Sequence, residues 1–216
     1  SLGAQVELIG VKSTPDNAAS SNSVYYSFEG VGWACANGAN VVSMSFGGST
    51  ASSAMQNLID AYPEIVFLAA AGNDGNSVVQ YPGGYNNVIC VGSVDGNDNK
   101  SSFSNYNGAT PFVDIASPGG YTNGGLQSTV YTAGGNSYAK MGGTSMATPF
   151  AAGLVGSMLS LNPTLTPAQI ETCLKNTGVT ITGNIGKRIN APAALNCVAA
   201  TVTGDPLVQF SGAPVS

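Results

Sequence analysis

The chain has 216 residues, enough for one domain with a substantial core. Hydrophobic residues make up 43% and charged residues 8%, the opposite of the balance that leaves a chain disordered. Six Lys plus Arg against 11 Asp plus Glu give a net charge of −5, which argues against a nucleic-acid partner, and no apolar run approaches the roughly 20 residues of a membrane-spanning helix.

The chain opens almost at once on an apolar run, Val6–Lys12, which reads as a strand. Opening on Ser1 in this way suggests a piece cut from a longer precursor. Residues 13–23, rich in Ser, Asn, Pro and Asp, read as a loop. Apolar spacing from Ser23 to Asn37 predicts a helix ending at Gly38. A buried strand follows at Asn40–Ser45, stopped by Gly47-Gly48. The next helix is predicted over Ala51–Tyr62, capped by Ser49 or Thr50 and closed by Pro63. Ile65–Ala71 and Val88–Val94 are continuous apolar runs of the kind found in parallel strands covered on both faces, and Val113–Ala116 is a shorter one. This alternation of strand and helix predicts an α/β, doubly wound, mostly parallel sheet with helices on both faces.

Between Asp95 and Tyr138 the pattern breaks into short strands and Gly- or Asn-rich turns. Thr144–Ser160 is apolar nearly all round, so it predicts a helix buried at the centre of the domain. Pro149 lies near its start, where a proline costs least. Thr166 caps a further helix with Pro167 at its first position, and Ala191–Val198 is a last short helix. Residues 1–200 read as one catalytic-domain portion and 201–216 as a tail or linker.

Three segments carry chemistry. In Gly142-Gly143-Thr144-Ser145-Met146-Ala147-Thr148-Pro149, paired glycines lead to a serine at the mouth of an apolar helix. Free backbone N–H groups and the positive end of the helix dipole favour negative charge there. A serine in that place can be a nucleophile and can offer its own N–H to an oxyanion, although a plain cap on a buried helix has the same residues. In Ala70-Ala71-Gly72-Asn73, an apolar strand ends on an amide that can donate to an oxyanion or simply make a turn. Ser43-Met44-Ser45-Phe46-Gly47-Gly48 is a strand running into glycines, an edge on which an extended peptide can pair.

Taken in this order, the three segments resemble the subtilisin-like serine peptidases. Gly143 to Pro149 matches the nucleophile motif of that family, Ala70 to Asn73 its oxyanion segment and Ser45 to Gly48 its substrate-binding strand. Ser101-Ser102-Phe103-Ser104-Asn105-Tyr106, with Val113-Asp114-Ile115 and Ser117-Pro118-Gly119, is most similar to the proteinase K type. The resemblance implies that Ser145 is the nucleophile and that Asn73 and the Ser145 N–H form the oxyanion hole. It implies that Ser45, Phe46 and Gly47 pair with substrate backbone, and that they and Ala70, Ala71 and Gly72 wall the adjoining side-chain pocket. It also implies a calcium site from carbonyls near Asn86 and Val88 with the Asp114 carboxylate. Phe150 departs from many relatives, which carry a histidine there.

The larger departure is a shortage. Subtilases order their triad Asp, His, Ser, and this chain begins after the segments that would carry the first two. It has no histidine at all. The family topology implies a missing central strand between the counterparts of Val6–Val11 and Asn40–Ser45. The expectation is therefore a secreted serine endopeptidase part, active on peptide or protein substrates only when joined to an N-terminal fragment carrying Asp and His. A peptide-binding fragment without catalysis is the other reading. Of the four cysteines, Cys173 is paired with Cys197 and Cys35 with Cys90 in the preferred arrangement, against buried free thiols.

Overall fold

The computed structural model describes residues 5–15, 23–132 and 135–199. The tail read at 201–216 and most of the loop at 13–23 lie outside the described residues.

Helix α1 (Ser27–Ala36) leads into strand β1 (Val41–Met44), then helix α2 (Ser53–Asp60) and strands β2 (Val66–Ala70), β3 (Val88–Val94) and β4 (Ile115–Pro118). Strands β5 (Leu126–Thr132) and β6 (Gly135–Met141) form a separate antiparallel hairpin. Helices α3 (Thr144–Leu161) and α4 (Pro167–Thr177), the two-residue strand β7 (Lys187–Arg188) and helix α5 (Ala191–Ala199) complete the chain. The main sheet runs β1-β2-β3-β4-β7, and every pair in it is parallel.

Side-chain alternation along the strands assigns the two faces. Val66, Leu68, Ile89, Val91 and Ile115 point to the layer of α3, α4 and α5. Val42, Met44, Phe67, Ala69 and Val88 point the other way, to α1 and α2. Further along that second face, Cys90, Val94, Val113, Ala116 and Ile185 form a smaller cluster. All five residues of β2 are buried, as an inner parallel strand requires.

Several expectations shift. Val6–Lys12 is not a strand: Val6, Leu8, Ile9 and Val11 are exposed, Leu8 to 95%. A strand exists only through a neighbour's backbone groups, and no described strand lies beside this segment. It is strung instead between the end of α3, where the Gln5 N–H donates to Ser160 Oγ (3.0 Å), and the lead-in to α1, where the Tyr25 and Tyr26 N–H groups donate to the Ser13 carbonyl. Those last two bonds hold Tyr25 and Tyr26 in a turn and delay the start of α1 to Ser27. Helix α2 also begins late. Its cap is Ser52, not Ser49 or Thr50, because Ser52 accepts the Met55 N–H while its own N–H is held by the Tyr85 hydroxyl at 2.6 Å.

The disulfide Cys173–Cys197 joins α4 to α5. Cys35 and Cys90 do not pair, because they sit in separate core clusters, one under α1 and one over β3 and β4. Burial pushes both thiols above the usual range, and the Asp114 charge adds to the effect at Cys90.

Candidate active site

Ser145 is the second residue of α3, with no side chain capping the helix in front of it. Of the first N–H groups, that of Thr144 is taken by Asn73 Oδ1 and those of Met146 and Ala147 by the Gly143 carbonyl, which leaves the Ser145 N–H to face a ligand. The Gly143 N–H is anchored on the Gly119 carbonyl at 2.7 Å, which brings the loop after β4 under the helix mouth. A Cβ on Gly119 would lie 2.6 Å from the Gly143 oxygen, so this close approach needs glycine.

Asn73 follows β2 and is fixed from one side. Its Oδ1 accepts both the N–H and the hydroxyl of Thr144, each at 2.9 Å. With Oδ1 so occupied, the amide NH2 is the free end, and it lies near Gly143, 3.7 Å from where a Cβ on that residue would stand. Thr144 is fully buried and also accepts the Gly72 N–H at 3.3 Å. Thr144 did not stand out in the sequence. The signal available was a hydroxyl at the first position of a helix bound to be buried, which must find a partner.

The expected substrate strand adjoins Ser145. Ser45 and Ser145 exchange hydrogen bonds: the Ser45 hydroxyl donates to the Ser145 carbonyl at 2.8 Å, and the Ser145 hydroxyl donates to the Ser45 carbonyl at 3.2 Å. Phe46 and Gly47 continue outward from β1, and Gly48 is bridged to Tyr81 through both backbone groups. Ala70 and Ala71 are buried beneath. Gly72 adopts φ +100°, and a Cβ there would meet the Asn105 amide at 2.5 Å, so the turn into Asn73 needs glycine.

The two residues expected at a calcium site, Val88 and Asp114, do come close, but as they stand they do not fit the ion. Asp114 Oδ2 accepts the Cys90 N–H at 2.9 Å and Oδ1 holds Lys175 Nζ at 2.7 Å. Among the described residues no three His, Cys, Asp or Glu side chains gather in a metal-binding group. Burial lowers the pKa of Lys175, but its hydrogen bonds to Asp114 and Glu171 outweigh this and raise it. Phe150 is exposed, pointing away from the buried face of α3.

Residues 3–201 match the profile of the subtilase family, Peptidase_S8. The chain belongs to that family. This subtilase is 37% identical to alkaline elastase YaB of Bacillus sp. (strain YaB) over 194 residues, 88% of this chain and 48% of the elastase. It is 40% identical to thermitase of Thermoactinomyces vulgaris over 156 residues, 71% of this chain and 52% of thermitase. Among solved structures, a protease from Pseudoalteromonas arctica PAMC 21717 superposes with a TM-score of 0.73 at 31% identity, over 79% of this chain and 57% of that protease. The subtilase chain thus spans about half the length of the curated relatives it matches.

Proposed function

We propose that this chain is the nucleophile-bearing part of a secreted serine endopeptidase, which hydrolyses peptide bonds once an N-terminal segment supplies the aspartate and histidine. The observation that carries the reading is the clamp of Thr144 on Asn73, which leaves a preset amide donor beside the N–H of Ser145 at the helix mouth. The Cys173–Cys197 disulfide supports an oxidising, extracellular setting.

In the complemented enzyme the histidine takes the proton of Ser145 as Oγ bonds to the substrate carbonyl carbon. The carbonyl oxygen becomes an oxyanion and accepts hydrogen bonds from Asn73 Nδ2 and the Ser145 N–H. Collapse expels the amine, which takes its proton from the histidine, and leaves an acyl group on Ser145. Water, deprotonated by the same histidine, then releases the acid. Ser45, Phe46 and Gly47 hold the peptide in extended form by backbone pairing, with Ala70, Ala71 and Gly72 as the wall of the neighbouring side-chain pocket. With no histidine of its own, the chain by itself has no base for the first step. That same shortage favours a second reading, a part that binds peptides without cleaving them.

The test is to reassemble the chain with its N-terminal segment and treat it with a fluorophosphonate. The label is expected on Ser145, with peptide hydrolysis that vanishes in Ser145→Ala. Asn73→Ala should lower kcat about 10²–10³-fold, a figure measured on a subtilisin and borrowed here. A label on another serine, or peptide binding without any hydrolysis, would overturn the endopeptidase reading.

A further inference from the structure

The turn before β3 and the Asp114 carboxylate are each engaged by side chains of the chain itself. On α2, the Gln56 side chain takes both backbone groups of Asn86: its Oε1 accepts the N–H at 3.0 Å and its Nε2 donates to the carbonyl at 3.2 Å. The next residue, Asn87, stands at φ +62° and donates from Nδ2 to Asp60 Oδ1 at 3.0 Å, an oxygen that also accepts from Gln56. The carbonyl of Asn86 is thereby engaged.

Asp114 is held through its N–H and both carboxylate oxygens. Its N–H donates to the Cys90 carbonyl at 3.0 Å and its Oδ2 accepts the Cys90 N–H. Its Oδ1 carries Lys175 Nζ at 2.7 Å. The same ammonium reaches Glu171, one helical turn earlier on α4, at 2.5 Å. Two carboxylates from different elements thus converge on one cation that belongs to the chain. Calcium would need six to eight oxygens about this point. It would meet an ammonium already seated between the acidic groups and repelling it.

We propose that Lys175 is the resident cation of this corner, replacing the calcium that the family resemblance implies, and that Gln56 replaces the metal's grip on the Asn86 carbonyl. The corner between β3, β4 and α4 is then closed without metal. Removing the ammonium while keeping the carboxylates should turn the same corner into a calcium site formed by Asp114, Glu171 and nearby carbonyls.

Calcium titration calorimetry on the full-length protein tests this, independently of any activity. Wild type and Asp114→Asn should bind equal numbers of calcium ions. Lys175→Gln, a change at a half-exposed side chain, should bind one more per chain, and the double variant Lys175→Gln/Asp114→Asn should lose that ion again. Loss of a calcium ion in Asp114→Asn relative to wild type would overturn the proposal, because the carboxylate would then hold metal despite the lysine. No gain in Lys175→Gln would overturn it equally, because the ammonium would then not be what keeps calcium out.

Discussion

The two edges of the main sheet are finished in different ways. At one edge, β7 is two residues long and both are charged. Its outer side is bridged by Val179 in both directions, and Arg188 lies 2.7 Å from the Asp98 carboxylate. Short length, charge and a covering bridge are the usual protections of a sheet edge. At the other edge, β1 is apolar, with Val42 and Met44 buried, and no described strand pairs with its outer side. Val6, Leu8, Ile9 and Val11, and on α1 and its lead-in Tyr25, Tyr26, Phe28 and Trp33, are all exposed. One edge is closed by the chain's own residues; the other has the composition of an interior without its neighbour. The lesson is that one edge of the sheet is finished by the described residues and the other, on the proposed reading, is left for a strand of the N-terminal segment.

The largest effect should come from supplying that strand. Residues 1–216 expressed alone should show no cooperative melt, and refolding with the N-terminal segment should restore one, because on the proposed reading a central strand is lacking and domains are stable by only about 5–15 kcal/mol. A cooperative melt from the chain alone would break the comparison outright. A smaller effect is expected on the finished side. Cys173→Ala/Cys197→Ala in the reassembled protein should lower stability by about 3 kcal/mol, seen as a lower urea midpoint. A loss of activity without loss of stability would show that the bridge serves the site and not the α4–α5 corner. The smallest contrast sharpens the edges themselves. Leu8→Lys, at a side chain 95% exposed in this chain, should weaken the reassembled protein by about 1.5–3 kcal/mol if the added strand buries it. Lys187→Ala at the closed edge should change stability by less than about 0.5 kcal/mol in the reassembled protein. Equal effects of the two substitutions would mean that the edges do not differ.

Much of the finished half was legible because its signals are local. The apolar runs of β2 and β3, the all-apolar α3 and the Thr166-Pro167 start of α4 each announce themselves within a dozen residues, and the capping box at Thr166 and Gln169 follows from spacing. Ser145, Asn73 and Ser45, which the structure brings together, each sit at the end of such an element, and it was the resemblance of the three segments in order that singled them out. What failed depended on distant partners. Val6–Lys12 has a strand's composition but no described strand beside it. Cys35 and Cys90 have the burial of a pair but belong to different clusters. Strand β7 is two charged residues whose pairing is set wholly by β4, and Lys175 looks like any helix-surface lysine until Asp114 is placed opposite it.

The reciprocal bonds between Ser45 and Ser145 bear on when the nucleophile is armed. A peptide carbonyl accepts a hydrogen bond but is far too weak a base to remove the proton, so the Ser45 oxygen steadies the Ser145 hydroxyl without activating it. On the proposed reading the arrangement is a safety catch: the Asn73 amide is already clamped beside Ser145, the hydroxyl rests on the Ser45 carbonyl, and a base brought by the N-terminal segment would lift it off.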